Sequence, residues 1–203
     1  MPLEGLFVGI TGAQGSGKTT IASLVAEKIG GVHICGDGVS HTILEDKKFV
    51  DIFVKKFGSE ILGENGNIVR KKLGEVAMKT EDGHNFLSEV CEGELEQKFR
   101  KILTENKIVV LDYGPLPLFK KLWKDCHIKV LVECNKETRK QRVLKRDGIS
   151  EDYFETRDKM ADKLPSIRFD LVVENNAPED FERCVREIAE NLKKQCNSIN
   201  FQF

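Results

Sequence analysis

Leu6-Phe7-Val8-Gly9-Ile10-Thr11-Gly12-Ala13-Gln14-Gly15-Ser16-Gly17-Lys18-Thr19 decides the fold. Gly12 to Thr19 fills every slot of G-x-x-x-x-G-K-[ST]. The run Leu6–Thr11 reads as a buried strand, and Thr20 to about Ile29 reads as a helix. Strand, glycine-rich loop and helix together make a phosphate-binding device. Glycines let successive backbone amides converge on phosphate oxygens, and the helix N-terminus adds the positive end of its dipole. Lys18 reaches the β- and γ-phosphates, and the Thr19 hydroxyl holds Mg²⁺. The competing reading is a glycine-rich turn that matches by chance. The full motif, the strand before it and the helix after it all oppose that reading.

Size and composition set the bounds. The 203 residues suit one α/β domain with a small insertion. Lys and Arg number 32 against 33 Asp and Glu, for a net charge of −1, so nothing global points to a nucleic-acid or membrane partner. Anionic small molecules must then be held by local basic groups. Met1-Pro2-Leu3-Glu4 leads straight into the first strand without a basic leader, and the expectation is a cytoplasmic protein. Cys35, Cys91, Cys126, Cys134, Cys184 and Cys196 form no C-x-x-C pair and read as reduced thiols, mostly small core residues.

The rest of the chain alternates strand and helix, which predicts a parallel sheet covered by helices on both faces. The expected strands are Leu6–Thr11, Val32–Cys35, Lys107–Asp112, Ile128–Glu133 and Leu171–Glu174. Residues 38–105, between the second and third strands, exceed a simple crossover and read as helical. Phe49, Ile52, Phe53 and Phe57 repeat at helical spacing before Gly58. Gly63-Glu64-Asn65-Gly66-Asn67 reads as a turn, followed by helices over Leu73–Lys79 and Asn85–Leu103. This stretch is read as an insertion that covers a substrate. Arg139–Arg146 is expected on a helix after the fourth strand, and Glu182–Lys194 as a final amphipathic helix.

Several residues have chemical potential in this frame. Asp37 follows the second strand directly, and ligands of open parallel sheets sit beyond the strands' carboxyl ends. It reads either as a base for an alcohol or as a cap on a helix beginning near Gly38 or Val39. Arg142 and Arg146, four apart, share a helix face as a lid over phosphates, or as a solvated basic face. Ser150 is placed as the N-cap of the following helix. Asp112, after four apolar residues, is compatible with a carboxylate near Mg²⁺ or with an ordinary strand end. His33, His41, His84 and His127 are scattered without ligand spacing, so no metal site is assigned to them. Trp123 reads as packing.

These residues, in this order, resemble the dephospho-CoA kinase family over most of the chain. Ile10-Thr11-Gly12 through Lys18-Thr19-Thr20 is similar to its opening, and Ile34–His41 resembles its Asp-Ala-Asp-x-x-Ala-His segment. Phe57-Gly58, Ile61-Leu62, Asn65-Gly66-Asn67-Ile68, Arg70 and Leu73-Gly74 follow its FG-x-x-IL-x-x-DG-x-IDR-x-x-LG stretch. Gln141-Arg142, Arg146-Asp147-Gly148 and Ile149-Ser150 resemble its lid, and Val172–Asn176 its closing strand and Asn turn.

The resemblance implies a P-loop NTPase three-layer α/β sandwich with a central five-stranded parallel sheet. One domain over 1–203 would comprise a core (about 1–37, 106–138 and 168–203), a helical acceptor-binding insertion (about 38–105) and a lid (about 139–167). It implies ATP-dependent phosphorylation of the ribose 3′-hydroxyl of dephospho-CoA, the last step of CoA biosynthesis, with Mg²⁺. Asp37 would be the base, with Lys18, Arg142 and Thr11 also catalytic. Gly12, Ala13, Gln14, Gly15, Ser16, Gly17, Lys18, Thr19, Thr20, Arg146, Asn175 and Asn176 would bind the nucleotide. Asp37, His41 and Arg70 would meet the acceptor.

The chain departs from the family at Cys35, where the first Asp of Asp-Ala-Asp stands. It departs again at Cys91-Glu92-Gly93-Glu94 in place of His-Pro-x-[IV], and at Lys120 in place of Glu. All fall on the acceptor side. They leave room for a P-loop kinase for another small alcohol or nucleoside; a reading of a different class is a nucleotide-binding paralogue without turnover, which retention of Lys18, Thr19, Asp37 and Arg142 opposes.

Overall fold

The computed structural model describes residues 5–77, 79–152, 154–155, 158 and 167–198, without the side chains of Glu81, His84, Ser88 and 195–198. The chain divides into two compact units, one formed by Met1–Gly36 with Ile102–Phe203 and the other by Asp37–Lys101.

The first unit is built on β1 (Leu6–Thr11), β2 (Val32–Cys35), β3 (Ile108–Asp112), β4 (Ile128–Glu133) and β5 (Leu171–Glu174). All pair in parallel, in the order β2-β3-β1-β4-β5. β1 is central and every one of its residues is buried. A strand covered on both faces needs a continuous apolar run rather than alternation, and Leu-Phe-Val-Gly-Ile-Thr supplies one. On one face Leu6, Val8 and Ile10 pack on α1 (Lys18–Ile29) through Ile21, Ala22 and Val25. The C-terminal helix of the described chain, Asp180–Ser198, adds Cys184, Ile188 and Leu192 to the same core. On the other face a Cβ on Gly9 would stand 2.7 Å from Cys126 Sγ and 3.0 Å from Leu116 Cδ2, so helical segments approach closely there. Trp123, on α6 (Lys120–Asp125), is buried on this side, edge-on to Phe169 at 5.8 Å between ring centroids, a packing role.

The second unit holds most of α2 (Gly36–Glu45), then α3 (Lys47–Phe57), α4 (Arg70–Ala77) and the larger part of α5 (Glu81–Glu105). Asp46 caps α3 by accepting the Lys48 amide at 2.9 Å, and Gly58 ends it. Phe49, Phe53 and Phe57 form an i, i+4 ladder with centroids 6.5 and 6.4 Å apart, and Phe86 meets Phe57 edge-on. Between α3 and α4 the Asn-Gly turn closes a miniature antiparallel bridge from Leu62 to Ile68, and the Gly63 amide donates to Asn67 O at 2.9 Å.

Several helix limits differ from the sequence expectation: α1 starts at Lys18 rather than Thr20, and the C-terminal helix runs Asp180–Ser198 rather than Glu182–Lys194. α2 starts at Gly36, so Asp37 lies inside its first turn rather than capping a later start. The residue at 36 is fixed by packing, because a Cβ there would lie 2.5 Å from Tyr113 Cβ and Cγ. α4 begins at Arg70 instead of Leu73, since the preceding bridge delivers the chain already turned and the Leu73 amide donates to Val69 O at 3.0 Å. α5 runs from Glu81 to Glu105, longer than Asn85–Leu103 at both ends.

Of the cysteines, Cys126 and Cys184 are buried, Cys35, Cys91 and Cys134 are half-buried, and all five are free thiols; the Cys196 side chain lies outside the described residues. Burial first, then the Glu92 carboxylate, pushes the Cys91 thiol up to about 11 against the pull of Arg70, so it stays protonated at neutral pH. No described helix is long and apolar enough to cross a membrane.

Candidate active site

The loop between β1 and α1 takes its shape from donors that lie elsewhere in the sequence. Gly12, Gly15 and Gly17 all have positive φ, at 155°, 83° and 88°. At Gly17 a Cβ would collide with the Asn175 amide and sit 3.1 Å from the Phe181 ring. At Gly15 it would lie 2.7 Å from Arg139 O. Glycine is therefore required there by conformation and by space together.

Three successive loop carbonyls are tied outward. α7 (Lys136–Asp147) begins after Asn135, which caps it by accepting the Thr138 amide at 2.8 Å. From α7, Arg139 donates to Gln14 O at 3.4 Å and Arg142 to Gly15 O at 3.4 Å. From the turn after β5, Asn175 Nδ2 donates to Ser16 O at 2.6 Å, with Asn175 fully buried. Arg142 also donates to Asn175 O at 3.0 Å and lies over the Phe181 ring at 5.7 Å. Holding the carbonyls outward leaves the loop amides for an anion, the arrangement of a backbone nest.

Lys18 and Thr19 open α1. Lys18 extends back beside the loop, its Cε 3.9 Å from where a Cβ on Gly114 would stand. The Thr19 hydroxyl donates to Asp112 Oδ2 at 2.6 Å, and Asp112 is 1 % exposed at the end of β3. Thr20 is exposed in the same first turn. Thr11 is fully buried and donates to Gly114 O at 2.7 Å, fastening the end of β1 to the segment after β3. A Thr hydroxyl beside a carboxylate is a hard-oxygen donor set of the kind Mg²⁺ accepts. Among the described residues no group of three or more His, Cys, Asp or Glu could hold a metal by itself.

The two arginines expected to share a face divide their work. Arg142 goes to the loop, whereas Arg146 forks onto Asp147 at 2.6 and 2.8 Å, and Asp147 in turn accepts Gln14 Nε2 at 3.4 Å. Asn176 Oδ1 accepts the Asn135 amide at 2.7 Å, pinning the turn after β5 to the start of α7. Ser150 immediately precedes helical residues 151–152, and much of the lid range, including 159–166, lies outside the described residues. In the second unit, Arg70 and His41 hydrogen-bond each other on exposed surface. Asp37 is exposed in the first turn of α2, one residue past the buried Gly36.

Sequence reasoning passed over two further groups. Arg139, 8 % exposed, holds Asp158 through a fork at 2.5 and 3.3 Å and reaches Cys134 O at 3.1 Å. The fork, and then the nearby Lys136, hold the Asp158 carboxyl below the usual carboxylate range. A carboxyl lowered on folding contributes stability above its unfolded pKa of about 3.9, and loses it as pH falls through the folded value. Asp158→Asn is accordingly expected to cost about 1–3 kcal/mol at pH 7. The gap from the parent should close in acid, as read by urea midpoints across pH. A gap that is constant down to low pH would show that charge is not its source. The second group is His33, whose Nε2 stands 2.6 Å from Asp112 Oδ1. The signal for Arg139 was its position one turn before Arg142; neither Asp158 nor His33 carries a local signal.

Known proteins resemble this chain from β1 past β5. The family model for dephospho-CoA kinase matches residues 6–179. A dephospho-CoA kinase of Aquifex aeolicus is 31% identical over 194 residues, covering 92% of this chain and 97% of that protein. One from Fusobacterium nucleatum is 27% identical, covering 92% and 98%. Among solved structures, a Thermus thermophilus protein superimposes with a TM-score of 0.76 at 26% identity, covering 93% of this chain and 98% of that one. The dephospho-CoA kinase of Campylobacter jejuni shares the fold with a TM-score of 0.56 at 19% identity, covering 91% and 95%. With its phosphate loop, its parallel five-stranded sheet and a family match that runs from β1 past β5, this chain belongs to the dephospho-CoA kinase family.

Proposed function

We propose that the chain transfers the γ-phosphoryl group of ATP to the ribose 3′-hydroxyl of dephospho-CoA, giving CoA and ADP. The family match over residues 6–179 supports the acceptor, and the 2.6 Å contact of Thr19 with Asp112 at the foot of the phosphate loop supports the nucleotide half of the reading. A hydroxyl on a carboxylate supports a metal-bound nucleotide there, by analogy with phosphate-loop enzymes. Mg²⁺ held by Thr19, with Asp112 behind it, would neutralise charge on the outer phosphates.

The chain's own groups divide the remaining work. Loop amides from Gly12 to Thr19 and the Lys18 ammonium grip the triphosphate. Arg142 lies against the same loop and neutralises charge on the transferred group. Thr11 holds the strand end that shapes the loop, and Asn175 and Asn176 border the base side with Arg146. Asp37 accepts the proton of the 3′-hydroxyl as that oxygen attacks the γ-phosphorus and ADP leaves. His41 and Arg70 bind anionic parts of the acceptor. The insertion of about 38–105 is the acceptor-binding part, and about 139–167 the lid.

One assay tests the acceptor: ADP release with dephospho-CoA against a panel of nucleosides, pantetheine and short alcohols. Dephospho-CoA should be the sole strong stimulant. Stimulation by a nucleoside instead would favour a kinase for another alcohol, the reading that Cys35, Cys91 and Lys120 keep open. No stimulation by any acceptor, with ATP still bound, would favour a paralogue without turnover.

A further inference from the structure

The parallel register of the sheet brings to Asp112 a residue outside the phosphate-loop motif. His33 pairs with Val110, and Cys35 with Asp112, on the outermost strand β2. Registered residues of parallel strands share a face, so His33 and Asp112 both point to the side covered by α1. The imidazole leans along the strand and places Nε2 at 2.6 Å from Asp112 Oδ1, while Thr19 Oγ1 donates to Oδ2, also at 2.6 Å. Asp112 is 1 % exposed and the His33 side chain 20 %. A carboxylate can only accept here, so Nε2 carries the proton in this contact.

We propose that His33 is a positioning residue for the metal–nucleotide complex: it pins one oxygen of Asp112 so that the other is aimed at Thr19 and the metal's coordination shell. The physical basis is the carboxylate's freedom about χ2. With a donor on each oxygen the plane is fixed. Without His33, one buried oxygen is unpaired and the carboxylate turns to find a partner. Groups behind a metal's immediate ligands typically change metal affinity by about 10–100-fold. The inference rests on the nucleotide–metal reading above and extends it to β2.

The test is a titration of ADP binding with and without Mg²⁺, together with Mn²⁺ binding to the ADP complex followed by electron paramagnetic resonance. For the wild type, Mg²⁺ should tighten ADP binding. In His33→Ala that metal-dependent gain should shrink about tenfold, with metal-free ADP affinity unchanged, because loop amides and Lys18 supply the latter. His33→Gln, whose amide nitrogen can occupy the place of Nε2, should recover most of the gain. Equal loss of metal-free and metal-dependent affinity in His33→Ala, without rescue by Gln, would overturn the proposal and reduce His33 to a staple of β2 on β3. A full metal response in His33→Ala would overturn it too. A wild type whose ADP affinity ignores Mg²⁺ and Mn²⁺ would remove the metal reading itself, and the role of His33 with it.

Discussion

Lys18→Ala is expected to weaken ATP and ADP binding by about 10–100-fold and to lower turnover by about 10²–10³-fold, the scale of losing one aimed electrostatic group from a phosphoryl or oxyanion site. The loop should survive the change. Its shape is held by Arg139 on Gln14 O, Arg142 on Gly15 O, Asn175 on Ser16 O, and the Ser16 amide on Ala13 O at 3.1 Å. None of these involves the Lys18 side chain. What is lost is a positive charge whose stem runs beside Gly114, next to the loop. Adenosine, which has no phosphate, should bind the variant as it binds the parent. Calorimetric titration with ATP, ADP and adenosine separates the two effects. Normal turnover in this variant would discredit the phosphate-loop assignment.

Asp37→Asn is expected to leave ATP affinity intact and to cut turnover by about a hundredfold or more, since a positioned base contributes roughly 10²–10⁴. Asn preserves the size and the hydrogen-bonding shape of the side chain but cannot take a proton. Asp37 is exposed in the first turn of α2 and its backbone carbonyl accepts Ser40 Oγ at 2.7 Å, an interaction the substitution leaves in place. Helix integrity should therefore be unchanged, and thermal midpoints of the two proteins should agree. Steady-state kinetics with ATP and dephospho-CoA make the measurement. Unchanged turnover would take Asp37 out of the chemistry and leave it as a helix-start residue.

On the proposed reading the two variants probe separate ends of one reaction, Lys18 the donor phosphates and Asp37 the accepting oxygen. A fall in nucleotide affinity confined to the first, with a fall in turnover common to both, is the pattern expected of phosphoryl transfer.

The amino-acid sequence by itself determined the strands and their parallel class. β1, β2, β4 and β5 have the limits their apolar runs mark, and β3 starts one residue later than expected. Strands buried on both faces declare themselves through short-range composition. The phosphate loop was legible for a similar reason. Gly15 and Gly17 stand at positive φ, and a backbone that must approach its cargo leaves little choice of residue. The Phe49–Phe53–Phe57 face and the Asn-Gly turn were equally local.

What only the tertiary structure decided is which distant side chains serve the loop. Thr19 meets Asp112 across 93 residues, Asn175 meets Ser16 across 159, and Arg139 finds Asp158 nineteen residues on. His33 reaches Asp112 because β2 lies beside β3 in a particular register. Such meetings depend on strand order and register, which arise from packing between residues far apart in the chain. A sequence pattern records the local conformational demand of each residue. The partner across the sheet is set when the core around β1 closes, and that is where the outward-tied loop and its buried carboxylate come from.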